Sequence, residues 1–157
     1  MKTKNAIFHP YLMLVYALIG MAIAVYDCYM IYTGQLLWCP PSIDGCNTVA
    51  YSPDGRIYGV PIGYFGVTFY LIMFALAALL AFGSSSRGIR LVVLFYTALG
   101  VCGSIGFMYL DLTLIHAFCI YCLISAILTV LLLLSAIAHF KVPAGGHERI
   151  ANGERLN

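Results

Sequence analysis

Four of the six cysteines form two closely spaced pairs that could exchange disulfide bonds. Cys119 and Cys122 form a Cys-x-x-Cys motif, and on a helix this spacing places both side chains about one turn apart on the same face. Such a pair can form a redox-active disulfide. Cys39 and Cys46 enclose a loop that begins with two prolines and contains an Asp-Gly turn, so they could pair locally or separate. The two pairs indicate thiol–disulfide exchange.

Two other interpretations of the cysteines stay open at this point. Cysteine packs well as a small apolar residue, so a Cys-x-x-Cys motif in an apolar helix can be incidental. Four cysteines on one face could also bind zinc. The long gap between the pairs and the expected burial of Cys122 disfavour zinc, so we predict no metal site. For Cys28 and Cys102, within or near the ends of apolar stretches, we expect a packing role.

The elements that must position these cysteines are apolar segments. Hydrophobic residues make up 62% of the 157 residues and charged residues 9%, whereas soluble domains carry about 25% charged residues. So little charge would leave the surface of a soluble globule mostly apolar, and membrane lipid is the simpler surrounding for it. The net charge of +2 and the lack of a basic block exclude nucleic acid as a partner.

Four segments are long enough to cross about 30 Å of hydrocarbon, which takes about 20 apolar residues. They run from about residues 11 to 32, 61 to 82, 89 to 110 and 114 to 139. The predicted fold is therefore an all-α membrane protein, with a four-helix transmembrane domain at residues 1–140 and a polar tail at residues 141–157.

Basic residues are distributed unevenly between the two ends of this predicted bundle. Seven of the eight lie at the N-terminus, in the second turn or in the tail, and Arg56 alone lies on the other side. The positive-inside rule then predicts cytoplasmic termini, with both cysteine pairs on the outer face, where disulfides are permitted. A cleaved signal peptide is the disfavoured alternative, because the apolar run continues to Tyr32. Asp27, near the outer end of span one, is expected to be a solvated interface residue.

The Cys-x-x-Cys motif is expected at the head of span four. Cys119 would lie in the first turns of that helix, where the helix dipole favours a thiolate, the nucleophile in disulfide exchange. Cys122 would lie about 4.5 Å deeper, where a lipid-soluble electron carrier could reach it. A transporter would instead require ionisable groups in mid-membrane, and none is expected, because Asp27 and Asp111 lie near outer span ends.

Taken in order, these motifs resemble the vitamin K epoxide reductase family over roughly residues 11–140. Cys39 and Cys46 have the family's close spacing, and Ser52 follows Cys46 by six residues, where the family has Ser or Thr. The other motifs lie at the entry to span two and at the head of span four: Tyr58-Gly59-Val60-Pro61 with Gly66, and Phe118-Cys119-Ile120-Tyr121-Cys122.

The resemblance implies a quinone-dependent thiol oxidoreductase with a short helix in its outer loop. A separate thioredoxin-like or DsbA-like protein on the outer face would pass two electrons to the Cys39–Cys46 disulfide, with Cys39 facing the partner. Cys46 would exchange with Cys119 through a mixed disulfide, and Cys122 would pass the electrons to a menaquinone, ubiquinone or vitamin K type quinone. Ser52 would hydrogen-bond the quinone or fix the short helix; a plain cap or turn role stays open.

The sequence departs from the animal members of this family. They place an Asn near the start of span two and a Tyr one turn after the Cys-x-x-Cys motif, both close to the quinone, and here Ile62 and Ala126 are the nearest matches. The role of bacterial relatives, oxidation of exported proteins at the cytoplasmic membrane, therefore fits better than reduction of vitamin K epoxide. Further alternatives are a DsbB-type oxidase, whose second pair lies in a loop, and a non-enzymatic membrane protein with structural or zinc-bound cysteines.

Overall fold

The computed structural model describes residues 2–40, 45–82 and 86–140. The predicted tail at residues 141–157 lies outside the described residues. Five helices run as follows: α1 Lys2–Thr33, α2 Gly45–Tyr51, α3 Ile62–Phe82, α4 Arg87–Leu110 and α5 Ile120–Phe140. A 3-10 turn at Pro53–Gly55 and two short antiparallel strands, β1 Arg56–Ile57 and β2 Val60–Pro61, connect α2 to α3. The predicted all-α fold, with a short helix between spans one and two, is confirmed.

Four of these elements have the length and composition of membrane spans. They cover His9–Thr33, Ile62–Phe82, Arg87–Ile115 and Ile120–Phe140, with mean hydropathies of 1.9, 2.3, 2.0 and 2.6. Their outward faces carry large exposed apolar side chains, such as Phe82 and Phe95. A contiguous apolar surface of this kind suits lipid and not water. The chain is an integral membrane protein.

The core lies where α1 packs against α3 and α5, and Tyr70 is its largest fully buried side chain. The ring of Tyr70 fits against Gly20 of α1, where any Cβ would overlap it. The Tyr70 hydroxyl donates a 3.0 Å hydrogen bond to the backbone oxygen of Ser125 and lies 2.8 Å from the Ser125 hydroxyl. One side chain of α3 therefore contacts both α1 and α5 and fixes how the three helices sit together.

The head of the fourth span differs from the prediction. After α4 the chain forms a π-helical turn at Asp111–Ile115, and His116 then adopts a left-handed conformation with φ of 51°. The last helix begins only at Ile120, not near residue 114. The carbonyl of Cys119 accepts the first helical hydrogen bond, from Leu123 at 3.1 Å. Cys119 is thus the N-cap residue of α5 and not part of its first turns.

Candidate active site

Both predicted cysteine pairs lie at the end of the bundle that carries α2, which we call the loop end. Cys46 and Cys119 are 0% and 6% exposed and are buried in one small apolar cluster. Cys39 and Cys122 pack against the same cluster. Although Cys39 and Cys122 are 83 positions apart in the chain, the structure brings all four cysteines into one neighbourhood.

The two pairs are in different redox states. Cys39 and Cys46, which we call the loop pair, are joined by a disulfide with a Cα–Cα distance of 6.4 Å. Cys119 and Cys122, which we call the helix pair, are free thiols. Cys46 is fully buried, whereas Cys39 is only partly buried. Cys39 is therefore the member of the loop pair that is open to a reagent from outside.

The segment that carries Cys39 is held in place by side chains from α2 and α5. The Asn47 amide accepts a 2.7 Å hydrogen bond from the Leu37 N–H and donates one of 3.2 Å to the Leu37 carbonyl. From the other side, the Tyr121 hydroxyl donates a 2.7 Å bond to the Trp38 carbonyl. These bonds position the residue before Cys39 directly over the head of α5.

A close backbone approach places Cys46 beside Cys119. Gly45, the first residue of α2, lies against Phe118, and a Cβ on Gly45 would overlap the backbone nitrogen and oxygen of Phe118. Each of these two residues immediately precedes a buried cysteine. The glycine is needed here because no side chain fits between the two backbones, and the contact sets the spacing between the loop pair and the helix pair.

The surroundings of Cys119 favour its thiolate. A hydrogen bond from the Cys122 side chain lowers the pKa of Cys119 below its ordinary value, although burial acts in the opposite direction. The backbone N–H groups of Tyr121 and Cys122 also donate to its sulfur and lower the pKa further. These are the N–H groups that a helix N-cap side chain satisfies. The expectation of a helix-terminal thiolate thus holds, but through the cap position. Since a sulfur with a lowered pKa is also the better leaving group in disulfide exchange, Cys119 is suited to this chemistry.

An apolar cavity of about 380 Å³ extends from the helix pair into the bundle between α1, α3, α4 and α5. Gly103 lines it, and a Cβ built on Gly103 would meet no atom within 4 Å, so this wall is open. The polar side chains in the lining are few. Besides the helix pair, they are Asp27, Tyr70, Tyr96, Ser104, Asp111, Tyr121, Ser125 and Thr129. Such a lining suits a largely apolar ligand that carries a few polar groups.

Two carboxyl groups line the cavity close to the helix pair. Asp27 is partly buried and faces the cavity, so the expectation of a solvated interface residue is wrong. Asp111 is 4% exposed, and it lies close enough to the Cys122 thiol for its charge to act on that sulfur. Neither residue was predicted from the sequence to belong to the site. An acidic residue inside an apolar span was the available signal, because such groups usually face a protein interior.

The structure also locates the other residues that were considered from the sequence, which are Ser52, Ile62, Ala126, Cys28 and Cys102. Ser52 follows α2 and is not among the described residues that line the cavity, so its role at a quinone stays a prediction. Ile62 lines the cavity and Ala126 does not. Cys28 is buried as expected, but Cys102 is exposed on α4, so the packing role is wrong for Cys102. Among the described residues, no group of three His, Cys, Asp or Glu side chains could hold a metal ion.

Two comparisons with known proteins bear on the family of this chain. The model of the Vitamin K epoxide reductase family matches residues 11–137. The thiol-disulfide oxidoreductase LTO1 of Arabidopsis thaliana is 31% identical over 123 residues, which cover 74% of this chain and 33% of that protein. The chain thus spans about a third of the length of this relative.

Proposed function

Because the chain belongs to the vitamin K epoxide reductase family, we propose that it is a quinone-dependent thiol–disulfide oxidoreductase. One observation carries the proposal: the loop disulfide and the helix dithiol share one cluster, and the helix pair opens into an apolar cavity. The name of its relative LTO1, a thiol-disulfide oxidoreductase, supports the same class of activity.

The proposed electron path begins at Cys39. A thiolate of a reduced partner attacks the partly buried Cys39, and the partner's second thiol completes its own disulfide, so two electrons enter the loop pair. The buried Cys46 thiolate then attacks Cys119 of the oxidised helix pair and releases Cys122. Cys39 attacks Cys46 to resolve this mixed disulfide. The products are an oxidised loop pair and a reduced helix pair, which can then pass two electrons to an acceptor.

The cavity suits a quinone ring on physical grounds. Its walls are mostly apolar, the open wall at Gly103 leaves space for a flat group, and stacked rings of Phe69 and Tyr96, 5.1 Å apart, line one side. A bound quinone would accept two electrons and two protons from this site. Ile62 lines the cavity where animal members of the family have an Asn, so a quinone is favoured over vitamin K epoxide as the acceptor.

The proposed partner is a separate thioredoxin-like or DsbA-like protein. We propose that the loop end faces outward from a bacterial cytoplasmic membrane. In the sequence, seven of the eight basic residues come before span one, at the connection of spans two and three, or after span four, and only Arg56 belongs to the loop end. The physiological result would be disulfide formation in exported proteins.

The test is reconstitution of the full chain in lipid nanodiscs with a reduced DsbA-like protein and a short-chain menaquinone or ubiquinone analogue. We expect one quinol for each partner disulfide formed, measured by absorbance and by thiol trapping. Partner oxidation without quinol, or no oxidation at all, would overturn the proposal. If vitamin K epoxide were reduced faster than either quinone, the alternative substrate would be the correct one.

Exchange between the two pairs should depend on Gly45. In Gly45→Ala the new methyl group would displace α2 from the Phe118 backbone, and misplacing reacting atoms by about 1 Å can cost about 100-fold in rate. We therefore expect transfer from the loop pair to the helix pair to slow by about that factor, measured by rapid quenching and mass spectrometry. Gly106→Ala is the control, because its added Cβ meets no atom within 4 Å. Equal rates in the two variants would contradict the role given to this contact.

A further inference from the structure

Two carboxyl groups flank the helix pair, and the electron path above does not use them. Asp111 is close enough to Cys122, and Asp27 to both Cys119 and Cys122, for their charges to act on these sulfurs. Both carboxyls line the same apolar cavity. No Lys, Arg or His side chain is among the described residues that line it, so a negative charge would have no cationic partner in that lining.

Asp27 is held against the cavity by the packing of α1 on α3. Gly63 of α3 lies so close that a Cβ there would be 2.7 Å from the Asp27 carboxylate oxygen and 2.9 Å from the Cys28 sulfur. The absence of a side chain on Gly63 leaves room for the carboxyl group between the two helices. Ionisable groups that face such a membrane cavity commonly serve in proton relays.

The proton balance of the proposed reaction requires a second proton source. Reduction of a quinone to a quinol takes two electrons and two protons, whereas a helix pair that reacts as the Cys119 thiolate and the Cys122 thiol brings two electrons and one proton. The missing proton must come from another acidic group at the cavity. Asp27 and Asp111 carry the carboxyl groups among the described residues of its lining, and a carboxylic acid gives up a proton more readily than the tyrosine hydroxyls there.

We propose that Asp111 and Asp27 carry the two protons of this reaction, an inference that rests on the proposed function. Asp111 takes the proton of the Cys122 thiol as the Cys119–Cys122 disulfide forms and passes it to the acceptor. Asp27, as the carboxylic acid, donates the second proton and becomes a carboxylate, which water at the loop end reprotonates. Two electrons leave the two sulfurs, two protons reach the acceptor, and the negative charge of Cys119 ends on Asp27, so the step balances.

The test separates proton transfer from the other steps. Full-length Asp27→Asn and Asp111→Asn proteins, with the helix pair reduced in advance, are mixed with a short-chain quinone, and helix-pair oxidation is followed by thiol trapping. Loss of a positioned acid or base typically costs about 100-fold or more in rate, and we expect at least that loss in kcat with little change in KM. Reduction of the loop pair by the partner should proceed at the normal rate, which also shows that the variants are folded. Asp27→Glu, which keeps an acid, should recover much of the rate.

A second measurement needs neither quinone nor a variant. In quinone-free protein labelled with carbon-13 at aspartate carboxyls, oxidation of the helix pair with diamide should change the infrared carboxyl bands. Wild-type kcat in both Asn variants, a change in KM alone, or the absence of any labelled carboxyl signal would each overturn the proposal. If the wild-type protein reduced no quinone, the proposed function itself would fail. If it reduced quinone and the Asn variants did so equally well, only the carboxyl inference would fail.

Discussion

Replacement of Cys122 by serine is expected to abolish quinone reduction while leaving the loop disulfide able to form. Both members of the helix pair line the cavity, and Cys122 lies one helical turn further along α5 than Cys119, whereas Cys46 is not among the lining residues. Without the Cys122 sulfur, Cys119 has no partner with which to form the disulfide that must accompany two-electron transfer. We expect quinol formation to fall by at least about 1,000-fold, as it does when a catalytic nucleophile is removed.

A matched cysteine-to-serine control is available in the same bundle. Cys102 is exposed on α4 and is not among the cavity-lining residues, so Cys102→Ser should reduce quinone at the wild-type rate. The assay is quinol formation in nanodiscs with the reduced partner, and thiol trapping checks that Cys39 and Cys46 are still joined. Normal quinol formation by Cys122→Ser would show that electrons leave the protein by a route other than the helix pair.

The number of helices followed from the sequence because span length and hydropathy are local properties. About 20 apolar residues suffice to cross the hydrocarbon layer, and each of the four segments can be recognised without its neighbours. The start of α5 could not be located in this way. It depends on the left-handed His116 and on a π-helical turn. Asp111 marks a break in the apolar run, but the sequence does not show at which residue the next helix begins.

The four cysteines could be identified from their spacing and from the family resemblance. Neither of these showed that the fold brings the two pairs together. It requires α2 to pack on the head of α5, and that packing rests on the contact between Gly45 and the backbone of Phe118. Nothing in a single sequence pairs two residues that are separated by more than 70 positions. The sequence hints at this contact only through the glycine directly before Cys46.

The inward position of Asp27 was missed for a physical reason. A helix in a soluble protein reveals its inner face by apolar periodicity, but a membrane helix is apolar on its lipid face as well. The rotation of α1 about its axis therefore cannot be derived from its sequence. The prediction placed Asp27 in water because water is the usual surrounding of a carboxyl group. Only the packing of α1 against Gly63 shows that this carboxyl group faces a cavity instead.

Cys39→Ser should separate partner oxidation from quinone chemistry. Cys39 is the more accessible sulfur of the loop pair, and its loss leaves a partner thiolate no disulfide to attack. Oxidation of the reduced DsbA-like partner should fall by at least about 1,000-fold, since its acceptor group is gone. The helix pair is unaltered, so after reduction by dithiothreitol it should still reduce the quinone analogue at close to the wild-type rate.

The double variant Cys39→Ser with Cys122→Ser extends this prediction to the mixed disulfide. In this variant Cys46 and Cys119 are the two of the four cysteines that remain. Neither Cys39 nor Cys122 is present to resolve a disulfide between them. Because Gly45 lets the backbones of α2 and Phe118 touch, mild oxidation should join Cys46 to Cys119, and a disulfide map by mass spectrometry would detect the crosslink. Cys46 and Cys119 are buried away from solvent, so a crosslink between two protein molecules is not expected. If both cysteines stayed reduced under diamide, direct exchange between the two pairs would be excluded, and electrons would have to pass from Cys39 by another path.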